Sequence, residues 1–303
     1  MRVAVTGASG FIGTALVRSL RDRGDVVVRF VRPDASPLGD TVVRWDPDRH
    51  LVDGDDLRRS GGFDAIVHLA GAGVADRRWS EARKLEILTS RTRSTRLLVE
   101  ALESLSDGVP LLASASAVGY YGSRGDELLD EFSSPGDDFL ARVCLEWEAS
   151  ALLAREGGTQ VALLRTGIVM GAEGGALQRQ LPLFRLGLGG VLGSGRQWLS
   201  PIALADEVRA IQWILDRQLD GPVNLVSPSP LTNRDFTRTL GHSLHRPARA
   251  RVPAALLKVA LGAELVDGAL LASQRAYPKI LVESGFTFQC ATVASILECA
   301  LRP

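Results

Sequence analysis

Three glycines open the chemistry of this chain. In "VAVTGASGFIG", Gly7, Gly10 and Gly13 stand between a short apolar run and the amphipathic "FIGTALVRSLRDRG". The motif therefore falls where a strand passes into a helix, the context a phosphate-binding turn requires. A Cβ at Gly7 or Gly10 would obstruct the tight turn or the close approach of a pyrophosphate, and Gly13 lets the helix pack on its sheet. Ser9, Phe11 and Ile12 complete the turn, and the helix start offers unpaired N–H groups to phosphate. The next chemical signal is Val31-Arg32, at the end of the second apolar run and 19 residues beyond Gly13. An NAD site usually places Asp or Glu there for the ribose 2′-hydroxyl. An Arg instead suits a 2′-phosphate through charge-assisted contacts. The expected cofactor is NADP(H). The plainer readings are a simple glycine turn and a solvated Arg.

These residues need a sheet to position them. "RVAVTG", "VVVRFV", "AIVHLAG", "PLLASAS" and "QVALLR" are apolar strands, separated by helical patterns. Ser80 to Leu105 reads as one long helix, with Leu88, Leu98 and Leu102 on one side and Arg91 and Arg96 elsewhere. "SPGDDFLARVCLEWEAS" is a second helix, capped by Asp137 or Asp138, with Val143, Cys144, Trp147 and Ala151 on its apolar face. Such alternation predicts α/β architecture, a Rossmann-type doubly wound parallel sheet. After Arg165 the rhythm changes. A glycine-rich loop, "FRLGLGGVLGSGRQW", precedes the helix "LADEVRAIQWILD" and the strand "PVNLV", and Thr232 and Asp235 stand at capping-box spacing. The expected division is a cofactor-binding domain of residues 1–166 with 204–228, and a smaller C-terminal α/β substrate domain of residues 167–203 with 229–303.

The totals narrow the function. Formal net charge is zero, which argues against nucleic acid or an acidic membrane surface as partner. No run approaches the ~20 apolar residues of a membrane span, and the short apolar start is too brief for a signal peptide. Cys144, Cys290 and Cys299 are odd in number and lack metal or redox spacing, so a reduced cytoplasm is expected. His50, His68, His242 and His245 form no ligand spacing, and no metal site is expected. The partner is a small-molecule substrate of unspecified identity; a homodimer stays open.

The same residues resemble the extended short-chain dehydrogenase/reductase superfamily. The glycine turn matches, "HLAG" is similar to its fourth-strand signature, and "SASAVGYYG" resembles the fifth-strand segment that carries an active-site Ser. "RRW", "SRTRSTRLL", "DDFLARVCLEWE", "LRTGIVMG", "PVNLVSPSPLTN" and "SQRAYPK" narrow the resemblance to the epimerase-like subfamily typified by the human family 39U member, over essentially the whole chain. The resemblance implies cofactor contacts at Leu69, Ala70 and Gly71 after the fourth strand, at Glu86 and Arg91 on the long helix, and at Val169 near the nicotinamide. Leu69 and Val169 read otherwise as core, and Glu86 with Arg91 as a surface ion pair.

Ordinary members of that superfamily carry Tyr and, four residues on, Lys. The Tyr supplies the proton that accompanies hydride transfer, and the cation draws its phenol down from near ~10. Here the helix offers Phe139 and Val143. The only tyrosines are Tyr120, Tyr121 and Tyr277, and Arg124, Gly125 and Leu281 lie four residues beyond them. The resemblance leaves Ser116 to hold a substrate oxygen and Tyr120 or Tyr121 as stand-in proton donors, or as aromatics that merely cover the nicotinamide. Cys144, on an apolar helix face, reads as an inert thiol. Where relatives carry Trp-Ile-His, this chain has Pro201-Ile202-Ala203; Asp206 is expected to cap or brace the next helix. Arg196, Gln197 and Trp198 in the glycine-rich loop either close over a ligand or form a connector. Two functions compete: an NADP(H)-dependent epimerase-like oxidoreductase, with a nucleotide sugar among the substrates the resemblance implies, and a non-catalytic NADP(H)-responsive regulatory protein.

Overall fold

β-branched runs bounded by glycine and small residues become strands, and their near-complete burial explains why they read as unbroken apolar stretches. The computed structural model describes residues 1–35, 41–105 and 108–301. Strands β1 (Arg2–Thr6), β2 (Val26–Val31), β3 (Thr41–Asp46), β4 (Leu51–Val52), β5 (Ala65–His68) and β6 (Leu111–Ala117) join the strands Gln160–Thr166 and Gly221–Leu225 in one eight-stranded sheet. The order across it is Gly221–Leu225, Gln160–Thr166, β6, β5, β1, β2, β3, β4. All pairings are parallel except β3 with β4. The chain runs outward from β1 through β2 and β3, then returns to the other side of β1 as β5. The carboxyl ends of β1 and β5 therefore frame a switch-point crevice.

The sheet is covered on both faces, as the α/β reading requires. α1 (Phe11–Asp22) and α6 (Leu204–Arg217) pack on one face, with Leu16, Leu20, Ile211 and Ile214 against Val3, Val5 and Val67. A short α2 (Gly54–Arg59) precedes the second layer of α3 (Glu81–Glu103) and α4 (Phe139–Leu152). There Leu98 and Leu102 meet Ala4, Ile66, Leu112 and Leu163. Alternate residues of β1 thus serve opposite cores, the period-two signature of a strand buried on both sides.

A third apolar cluster joins α5 (Gly175–Arg185), α7 (Asn233–Ser243) and the C-terminal helix Val293–Leu301 through Leu177, Leu181, Phe184, Phe236, Leu240, Ile296 and Leu297. By contrast, none of α8 (Ala254–Leu261) is buried. Its carbonyls at Val259 and Ala260 accept from the Arg78 guanidinium at 2.6 Å and 2.8 Å. Nearby, Lys84 pairs with Glu264 at 3.0 Å. The loop after β5 and the start of α3 thereby grip the C-terminal segment.

Several expectations change. Arg91 lies on the buried side of α3, because that side carries Ser94 and Thr95 as well as leucines and packs on His68 and α4. Cap assignment falls to Asp138, whose carboxylate accepts from Ala141 N–H at 2.9 Å. The cysteine reading is corrected too: Cys290 and Cys299 are joined in a disulfide, and only Cys144 is free. Asp206 holds the backbone next to this disulfide. It braces more than its own helix: fully buried, it accepts from the N–H groups of Gln289 and Cys290 at 2.9 Å and 2.8 Å and from Arg209 at 2.8 Å. That clamp fixes the backbone at Cys290, whose disulfide partner Cys299 lies on the C-terminal helix. Among the described residues, no helix is long and apolar enough to cross a membrane.

Asp206→Ala leaves the buried Cys290 N–H and the part-buried Gln289 N–H without their acceptor, at roughly 1–3 kcal/mol for the buried one. The expected result is a loss of about 2–4 kcal/mol in urea unfolding, with faster proteolysis after Phe288; an unchanged midpoint would refute the clamp.

Candidate active site

The crevice is built on close backbone contact. Gly7 has φ +65°, and a Cβ there would meet the Leu69 carbonyl at 2.8 Å. A Cβ at Gly13 would stand 2.2 Å from the Gly7 oxygen. Gly10, the residue before α1, provides no side-chain cap. The first N–H groups of α1 consequently have no partner of their own helix and point to where a phosphate would sit. The glycine turn meets the end of β5 through Gly7, against the Leu69 and Ala70 backbone, whereas the Phe11 ring lies against Gly171, Gly174 and Gly175.

A buried relay fixes this surface. Thr6 Oγ1 accepts from the N–H groups of Leu69 and Ala70 at 3.1 Å and 3.2 Å, so its own proton goes to His68 Nδ1 at 2.7 Å. The ring must then carry its proton on Nε2 and donate to Thr95 Oγ1 at 2.9 Å; Thr95 in turn donates to the Arg91 carbonyl at 2.7 Å. Burial pushes His68 down to about 3, which keeps it neutral. The sequence reading excluded His68 as a metal ligand and found no role for Thr6 or Thr95. Strand alternation alone cannot show that three polar side chains on separate elements converge.

Arg91 is the cation of the crevice. Its side chain lies against Gly71, its guanidinium stacks 4.9 Å from the Trp147 ring, and it donates to the Ile87 carbonyl at 2.9 Å. Burial lowers it to about 10, so it remains charged, and among the described residues no carboxylate pairs with it. Glu86 instead pairs with Arg83 at 2.7 Å, which removes the expected surface ion pair between Glu86 and Arg91. Val31 is buried at the end of β2, and Arg32 beyond it is half exposed. Carboxylates absent from the end of β2 arrive from the end of β3: Arg32 contacts Asp46 and Asp48, each at 2.9 Å. Val169, on the strand Ile168–Gly171, packs into the core beside α1 and α6.

Ser116, Tyr120 and Tyr121 stand over a buried polar network. Ser116 donates to Glu148 at 2.7 Å. Glu148 takes Arg165 bidentately, both contacts at 2.9 Å. Arg165 also donates to the Tyr121 hydroxyl at 3.2 Å, and Tyr121 donates to Asn224 at 2.7 Å. Tyr121 is fully buried, and burial raises its phenol. That placement removes it from the proton donors, because its hydroxyl is engaged below the surface. Tyr120 is half-buried, its ring 3.5 Å from the Arg165 guanidinium. Burial likewise pushes Cys144 up to about 12. Phe139 packs edge-on to Trp79 at 5.0 Å, with Lys84 Nζ 6.0 Å from its ring, while Val143 is buried. In the glycine-rich loop, Trp198 donates to Asp126 at 2.7 Å and Gln197 is buried, so both are anchored.

Residues 3–226 match the family described as the NAD-dependent epimerase/dehydratase family, and residues 252–300 match a domain of unknown function. The chain belongs to the NAD-dependent epimerase/dehydratase family. An epimerase family protein of Mycobacterium bovis is 42% identical over 98% of this chain and 97% of its own. The crystal structure of the human epimerase family protein SDR39U1 with NADPH superposes with a TM-score of 0.88, at 33% identity and full coverage of both chains. A nucleoside-diphosphate sugar epimerase of Corynebacterium glutamicum gives 0.79 at 35% identity, covering 99% of this chain and 58% of that one. The α/β Rossmann-type sheet is the frame shared with the human structure.

His68 yields a pH prediction. Its native pKa lies below its ordinary 6.5, so as pH falls from about 6.5 towards 3 the unfolded chain takes up a proton that the native state refuses. Stability from this residue drops by up to about 1.4 kcal/mol per pH unit over that window. Urea midpoints of wild type and His68→Gln should diverge less as pH falls; parallel curves would exclude the neutral imidazole.

Proposed function

We propose that this protein is an NADP(H)-binding, epimerase-like oxidoreductase of the extended short-chain type, acting on a small carbonyl or hydroxyl substrate, with nucleotide sugars the first class to test. The observation that carries the reading is the Gly7–Leu69 approach, which sets the strand-to-helix glycine turn against the end of β5 at the switch point of the sheet. NADPH in the human relative, Arg32 at the ribose end and the unpaired Arg91 cation support it. In this reading residues 1–166 with 204–228 hold the cofactor, and 167–203 with 229–303 enclose the substrate.

When bound, the nicotinamide supplies hydride transfer. Gly7 to Gly13 would hold the diphosphate, Leu69 to Gly71 the ribose, and Arg91 the negative charge nearby. Tyr120 is the group assigned to proton transfer: it alone of the two candidate phenols is partly exposed, with its ring held against the Arg165 guanidinium. Ser116 acts as a positioning residue, because its proton goes to Glu148. A second reading, an NADP(H)-responsive regulatory protein without turnover, is favoured by Phe139 and Val143 standing where proton chemistry would need Tyr and Lys.

Calorimetry should find NADPH bound at least about tenfold tighter than NADH, or ~1.4 kcal/mol. Arg32→Ala should erase the difference, and Asp48→Asn should widen it by freeing Arg32; equal affinities would sink the NADP(H) assignment. Cofactor absorbance followed with metabolite extracts separates the two readings. Turnover that Tyr120→Phe lowers by about 10²-fold or more supports catalysis. Turnover untouched by Tyr120→Phe removes Tyr120, and bound NADPH with no turnover across several extracts favours the regulator.

A further inference from the structure

Arg234, Arg238 and His242 recur every four residues on α7, which puts them on one helix face. Opposite lies the strand Ala250–Val252, which pairs in parallel with Gly190–Leu192. Arg249 and Arg251, two residues apart, share a side of that extended segment. Arg246, in the connection between helix and strand, completes the ring. These six side chains line a single hollow of about 660 Å³. None of them belongs to the cofactor crevice.

The hollow is rich in uncompensated charge. Arg234 donates to the Ser194 carbonyl at 3.3 Å, Arg251 to the same oxygen at 3.5 Å and Arg246 to the Arg185 carbonyl at 2.9 Å. Backbone acceptors orient a guanidinium without cancelling its charge. Among the described residues the one carboxylate paired with this set is Asp235, 3.6 Å from Arg238. Like charges drawn together repel, and an anion between them reverses the sign of that interaction. Guanidinium groups match phosphate oxygens in pairs, whereas a point cation does not.

The shape narrows the anion. From Arg234 to Arg238 to His242 the helix rises about 12 Å, the reach of a short phosphate chain. No Phe, Tyr or Trp lines the hollow, so it lacks the aromatic platforms on which single-strand binders stack successive bases. The scaffold is specific to this geometry: Gly195 holds φ +72°, and a Cβ there would meet Val191 at 2.3 Å. We propose that this hollow is a second ligand site, one that binds two or more linked phosphates, as in an inorganic oligophosphate or the tail of a nucleoside triphosphate.

The test uses the full chain with NADPH present and inorganic tripolyphosphate as probe, titrated by calorimetry. Binding should persist under saturating NADPH and weaken steeply between about 50 and 200 mM salt. The double variant Arg238→Glu with Arg249→Glu should lose about a hundredfold in affinity, roughly tenfold for each charge-assisted contact, with NADPH affinity unchanged. Adenosine triphosphate binding within about threefold of tripolyphosphate would assign recognition to the phosphate chain alone; a much tighter nucleotide would assign the site to nucleotides. Either arm supports the site. No binding at about 1 mM probe, binding untouched by the double variant, or displacement of the probe by NADPH would overturn it. So would an oligonucleotide that outbinds the probe. If NADPH itself fails to bind, the probe titration is read without it, so failure of the cofactor assignment stays separate.

Discussion

The Arg165–Glu148 pair is the interaction on which the site is hung. Both side chains are more than nine-tenths buried, and charges taken from water cost several kcal/mol each unless geometry repays them. Here the bidentate contact does so, with Ser116, Tyr121 and the Glu131 carbonyl taking further hydrogen bonds around it. Arg165 stands in register between Ser116 of β6 and Asn224 of the edge strand, so three adjacent strands present a row of polar groups to α4. Deleting one partner of such a pair costs about 3–5 kcal/mol, which makes α4 difficult to move. The helix end that bears Phe139 is held in place by chemistry about two and a half turns away.

The crevice follows a different logic. Its backbone surfaces touch because glycine allows it, and the Thr6–His68–Thr95 relay holds them in contact. A charged imidazole would break the relay, since Nδ1 must accept from Thr6. Burial supplies the neutral form that the hydrogen bonds require. Arg91 is then the remaining ion at the crevice, attached through its own carbonyl to the same relay.

Much of this was legible in the sequence, for identifiable reasons. The glycine turn and the alternation of apolar runs are local signals, and both the parallel sheet and the switch-point crevice follow from them. The Thr232–Asp235 cap was legible likewise, with Thr232 accepting from Asp235 N–H at 3.2 Å. What escaped depends on distance in sequence. Asp46 and Asp48 reach Arg32 from another strand, Asp206 reaches Cys290 across 84 residues, and Glu148 takes the Ser116 proton across 32. Arg91 was misplaced because a helix packed on polar neighbours lacks an apolar stripe to mark its inner face. Glu207 escaped because its partner is distant in sequence: fully buried on α6, it accepts from Thr166 at 2.9 Å across 41 residues and is pushed up to about 8 by burial.

The grip of Arg78 on the end of α8 has a thermodynamic consequence. The loop that begins at Gly71, against the cofactor crevice, reaches within a few residues the guanidinium that closes the carbonyl end of α8. A cofactor that stills this loop also reduces the freedom of the C-terminal segment, and the entropy lost there need not be lost again when a second molecule settles on α8. Linkage makes the effect symmetrical: whatever steadies the exposed Leu256 and Val259 face must raise cofactor affinity by the same factor by which cofactor favours it.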